Sequence, residues 1–123
     1  MLISYYAVFN YNEYDKCEKM NGISIYFPDI PLAISCARNT THAMEMAQEC
    51  LQLAILKDNG MWPAANELPP VTPLEEINLE DHEKAFLISF DTEKIDFSDW
   101  KFYDENNNSM THDEYRTKYG NVK

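Results

Sequence analysis

Glycine is scarce in this chain, at three residues in 123: Gly22, Gly60 and Gly120. A glycine-rich loop that cradles phosphate is thereby excluded. Arginine is scarcer still, with only Arg38 and Arg116, and no run of basic residues occurs. Nucleic-acid surfaces neutralise phosphates with Lys and Arg, so the composition argues against direct nucleic-acid binding. No uncharged run reaches the roughly 20 apolar residues that a membrane-spanning helix needs. Cysteine is limited to Cys17, Cys36 and Cys50, without CxxC or metal-ligand spacing. An odd count argues against a secreted disulfide framework. Cys36 and Cys50 are expected to be small core hydrophobes, and Cys17 to lie in an exposed turn. Met1–Ser4 shows no basic segment and no small-residue cleavage site, so a cytoplasmic protein is expected.

What the chain has in excess is acid. Its 21 acidic residues against 10 basic ones give a net charge of −11. Such a surface draws basic partners and speeds their encounter, though acidity alone also serves solubility. Hydrophobic residues make up 45% and aromatics 13%, enough for a folded core.

Ile3–Tyr11 reads as a strand with Tyr5, Ala7, Phe9 and Tyr11 on one face and Tyr6 and Val8 on the other. A polar stretch over 12–21 and the turn dipeptide Asn21-Gly22 lead to a second strand, Ile23–Phe27. Pro28 and Pro31 lack the N–H a ladder needs, so pairing is expected to stop there. A short third strand follows from Ala33. Asn39 is a helix N-cap, and Ala43, Met46, Ala47, Cys50, Leu51 and Ala54 recur at helical spacing up to a stop at Asn59-Gly60. Thr72-Pro73-Leu74-Glu75 reads as a capping box opening a short turn. Ala85–Phe90 is the fourth strand. Beyond Asp91 the chain is acidic and aromatic, and Thr111-His112-Asp113-Glu114 opens a short helix through Tyr119.

The predicted order is β-β-β-α-β, an α+β fold in which one helix covers one face of a small sheet. The chain divides into a domain over 1–91 and an acidic extension over 92–123 that lacks a DNA-binding pattern. The other sheet face carries Tyr6, Val8 and Tyr26 and needs cover, from the extension's aromatics or from a second subunit.

No catalytic signature stands out. His42, His82 and His112 have no shared ligand spacing and are expected on the surface, so no metal and no cofactor is expected. The first three strands carry no carboxylate, which argues against a two-metal nuclease, and the chain is not expected to be an enzyme. Asp29, between two prolines, reads first as a turn residue bonding nearby amides.

With these pieces in order, residues 4–90 resemble the HicB-like antitoxins of bacterial toxin–antitoxin systems. Tyr5-Tyr6-Ala7-Val8-Phe9 is similar to their opening strand. Ile25-Tyr26-Phe27-Pro28-Asp29-Ile30-Pro31 is similar to their FPD-x-P hallmark. Asn39–Leu53 resembles their helix, and Leu68-Pro69-Pro70 with Leu74-Glu75-Glu76-Ile77 resembles their connector. The chain departs from the pattern at Leu32, where Gly is usual, and at Asn39 and His42, where Thr and Glu are usual. The resemblance implies a degraded ribonuclease-H-like fold without catalytic carboxylates. It also implies a partner, a small basic HicA-type ribonuclease toxin whose active site the antitoxin blocks. A homo-oligomer is expected separately, from the sheet face that needs cover. Candidate contacts are Asp29, the acidic helix face at Glu45 and Glu49, and Asp99 and Trp100 of the extension. The alternatives are an orphan domain without a toxin and an autorepressor acting with a partner.

Overall fold

The computed structural model describes residues 1–11 and 22–120. The expected polar loop over 12–21, including Cys17, lies outside the described residues. Four strands form an antiparallel sheet: β1 (Leu2–Asn10), β2 (Ile23–Phe27), β3 (Ile30–Ala37) and β4 (Glu83–Asp91), in the spatial order β3-β2-β1-β4. Helix α1 (Thr40–Ile55) lies between β3 and β4 in sequence and covers one face. The α+β class and the β-β-β-α-β order are as the residue pattern predicts. β1 is the central strand, pairing with β4 along its whole length and with β2 over Val8–Asn10.

The core lies between α1 and the sheet. Ile3, Tyr5, Ala7 and Phe9 of β1 face the helix, with Ile23, Ile25 and Phe27 of β2 and Ile88 and Phe90 of β4. Ala33 and Ala37 of β3 meet Ala43, Ala47, Leu51 and Ile55 of α1. The alanines on both elements let the helix lie close to β3. Burying each large side chain, such as Phe9 or Leu51, stabilises by about 1.5–3 kcal/mol.

The helix start is built as predicted. Asn39 is extended, and its Oδ1 accepts from the His42 amide at 2.8 Å. His42, in place of a capping-box carboxylate, uses its ring: Nδ1 accepts the Arg38 amide at 3.1 Å. The helix end is earlier than predicted. It stops at Ile55, and Gly60 is not its cap. Gly60 instead closes a separate turn, donating its amide to the Lys57 carbonyl with φ +79°.

Three further expectations are corrected. Pairing does not stop across both prolines. Phe27 pairs with Ile30 around the two-residue turn Pro28-Asp29, and Pro31 lies inside β3. β3 is an edge strand, where alternate N–H groups face away from the ladder and Pro is tolerated. Thr72 does not cap a helix: the short 3-10 turn Leu74–Glu76 starts at Pro73, and the Thr72 hydroxyl is used elsewhere. Cys36 is exposed rather than buried, because the alternation of β3 turns it outward with Leu32 and Ile34. Cys50 is partly buried against the core as expected.

The extension's ring contacts reach the sheet through Trp62 and Phe90, and Phe90 belongs to the core beneath α1. The extension forms a two-strand hairpin, β5 (Phe102–Tyr103) and β6 (Ser109–Met110), and helix α2 (His112–Tyr119). The Thr111–Glu114 capping box is present with both reciprocal hydrogen bonds. The extension's rings pack on one another and on Trp62, which in turn meets Phe90 of the sheet at 5.4 Å.

Candidate functional site

The extension reaches the helix through the turn over 57–61. His112, which was expected in solvent, stacks on Phe97 with ring centroids 3.5 Å apart, and its Nε2 lies 2.7 Å from the Gly60 carbonyl oxygen. The Tyr115 hydroxyl donates to the Asp58 carbonyl. Gly60 is required here on two counts. Its φ is positive, and a Cβ would come within 2.8 Å of the Tyr115 ring. Trp62, His112 and this turn thus hold the extension beside the end of α1.

That placement creates a groove of about 320 Å³ between the two parts of the chain. Glu49, Gln52 and Leu53 line it from α1, and Asp99, Trp100 and Lys101 from the extension. Two carboxylates outnumber one ammonium, so its charge is negative. Trp100 is half-buried and held edge-on to Phe97 at 4.8 Å. Leu53 is 58% exposed beside it. Two carboxylates lining one groove with a packed indole and an exposed leucine suit a cationic side chain with an aliphatic stem.

Three of the five candidate residues, Glu49, Asp99 and Trp100, therefore converge, although 50 positions separate Glu49 from Asp99. Glu45 is exposed one turn earlier on the same helix face and lines a neighbouring groove with Arg38 and His42. Asp29 does not line either groove. Its Oδ2 accepts the Thr72 amide at 2.8 Å and its Oδ1 the Thr72 hydroxyl at 2.6 Å. The partner of Asp29 is thus 43 positions away, not a nearby turn amide. Tyr5 reinforces the same junction, donating its hydroxyl to the Pro69 carbonyl at 2.6 Å. Burial, and secondly the Asp29 carboxylate, push the Tyr5 phenol above its ordinary pKa. Together these bonds fasten the proline connector to the β2–β3 turn and to β1.

Residue spacing did not point to Gln52, Leu53 or the docking turn. Leu53 carried one signal, its place one turn beyond Glu49 on the outward helix face. The contacts of Gly60 and Asp58 with α2 span more than 50 positions and leave no local signature.

Among the described residues, no group of three His, Cys, Asp or Glu side chains is placed to hold a metal ion. No described helix is long and apolar enough to cross a membrane.

No family model and no curated protein sequence matches this chain. Among solved structures, the fold is similar to a chain of a toxin–antitoxin complex from Streptococcus pneumoniae. The TM-score is 0.59 at 18% identity, and the match covers 85% of this chain and 79% of that one.

Proposed function

We propose that this protein is the antitoxin of a toxin–antitoxin pair, of the HicB-like kind, with residues 1–91 as its degraded ribonuclease-H-like domain. It binds a small, basic, HicA-type mRNA-cleaving toxin and occludes the toxin's active site. It carries out no chemistry of its own, takes no cofactor, works in the cytoplasm as a homo-oligomer and does not itself hold nucleic acid. The absence of carboxylates from β1, β2 and β3 is in keeping with a fold that has lost a nuclease site. The fold likeness to a chain of a toxin–antitoxin complex supports the pairing.

The observation that carries the reading is the groove that Glu49, Asp99 and Trp100 line together. Carboxylates on the antitoxin compete with RNA phosphate for the same basic patch on a ribonuclease. Asp29, Glu45, Glu49, Asp99 and Trp100 are the proposed contacts, with Asp29 contributing by fixing the turn through Thr72. The test is co-purification with the small basic product of the adjacent reading frame, at low and high salt. Capture at low salt, weakened at high salt, with loss of the neighbour's RNA cleavage, is expected. A basic neighbour that is neither bound nor inhibited overturns the reading.

A further inference from the structure

The face of the sheet away from α1 leaves large apolar side chains exposed at its β3 end. Ile34, Tyr26, Val8 and Ala85 stand in register across all four strands. Val8 is fully buried in this row, yet Ile34 is 68% exposed at its β3 end and Leu32, two residues back, is 84% exposed. Both sit on β3, which is an edge strand of the sheet among the described residues. β3 reads Ile-Pro-Leu-Ala-Ile-Ser-Cys-Ala and holds no charge over eight residues. Edge strands of solitary domains are commonly guarded by charges, above all lysine, against pairing with another chain. This one has only Pro31, near one end.

We infer that β3 pairs edge to edge with β3 of a second copy of this chain, about a two-fold axis, to make a continuous eight-strand sheet. Electrostatics selects the occupant. Two chains of charge −11 repel wherever their acidic helices or extensions meet, and the uncharged strand is where they approach with least penalty. A basic partner finds no carboxylate on β3 to draw it there. Antiparallel pairing about a two-fold axis is also self-complementary: each strand offers the other the same free N–H and C=O groups. Leu32 and Ile34 then pack beside their counterparts and lose their exposure. This deepens the homo-oligomer in the reading above and does not depend on the toxin.

Sedimentation velocity over a broad concentration range tests it, with Leu32→Lys, Ile34→Lys and, on β4 of the same face, Leu87→Lys. All three side chains are at least half exposed, so the variants are expected to fold, as thermal melts will check. The wild type is expected to dimerise with concentration. Leu32→Lys and Ile34→Lys are each expected to weaken the dimer at least about tenfold, and Leu87→Lys to leave it unchanged. A wild type that is monomeric throughout overturns self-association altogether. A dimer that survives Ile34→Lys, or that Leu87→Lys dissociates, overturns the β3 edge while leaving self-association standing.

Discussion

Both carboxylate oxygens of Asp29 are taken by Thr72, one by its amide and the other by its hydroxyl. This pair joins the turn between β2 and β3 to the proline connector that returns the chain to β4. Removing the carboxylate leaves a half-buried amide and hydroxyl without their acceptor, a loss of about 1–3 kcal/mol. Urea unfolding of Asp29→Ala is expected to show that loss, and Thr72→Val a smaller one. In the double variant the two losses should be non-additive by about 0.5 kcal/mol or more. Strict additivity would contradict the pair.

The start of α1 depends on Asn39 and on the ring of His42. Asn39→Ala is expected to cost about 1 kcal/mol in thermal or urea unfolding, while Asn39→Ser or Asn39→Asp costs little. His42→Ala should lower stability further, and His42→Glu should recover part of it, since a carboxylate can accept an amide in the same place. Equal stability of His42→Ala and the wild type would show that the ring nitrogen contributes nothing.

The docking of the extension has its own weak points. Gly60→Ala forces a side chain onto a positive φ and into the Tyr115 ring, at a cost of about 1–2 kcal/mol. The loss should appear as altered tryptophan fluorescence and faster proteolysis within 92–120, with far-UV circular dichroism of the sheet little changed. Cooperative loss of the whole fold in this variant would contradict separate docking.

Acid should loosen the same region. Asp104 is held below the ordinary carboxylate range first by the Asn108 amide, Glu114 by the Thr111 amide and Asp96 by the Ser98 amide. A lowered folded pKa means that these groups stabilise above the ordinary carboxylate pKa. Their contribution is lost as pH falls through the folded value. Fluorescence of Trp62 and Trp100 is therefore expected to change on acidification from about pH 4.5 downward. No change before global unfolding would contradict this.

The two described thiols should differ in reactivity. Burial pushes the Cys50 thiol up to about 11, and it donates to the Ala47 carbonyl. Cys36 is exposed on β3. Alkylation of single-cysteine variants near pH 8 should label Cys36 at least about tenfold faster than Cys50. Equal rates would place Cys50 in solvent.

How far the sequence speaks for this structure is clear from particular residues. Tyr5, Ala7 and Phe9 announce a strand by alternation, and Ala43, Ala47 and Leu51 announce a helix by spacing, because periodicity is local and one face of each must be buried. Asn39 and Thr111 announce caps for the same reason. Thr72 misleads, since a capping pattern and a long-range acceptor compete for one hydroxyl and Asp29 wins it. The gathering of Glu49, Asp99 and Trp100 was legible only as a set of candidate residues. Their groove depends on Gly60–His112 and Asp58–Tyr115, contacts that arise once the extension folds back. Cys36 misleads because residue type favours burial while strand parity turns it outward.

The central claim is that the acidic groove receives a basic ribonuclease. The most direct measurement is inhibition of RNA cleavage by the neighbouring gene's basic product, titrated with wild-type chain and with Glu49→Lys, Asp99→Lys and Trp100→Ala. Full inhibition by the wild type is expected, with each charge reversal raising the concentration needed by about tenfold or more and Trp100→Ala by a similar factor. Inhibition that all three variants reproduce undiminished would contradict the groove as the toxin's seat, and no inhibition by the wild type would contradict the antitoxin reading itself.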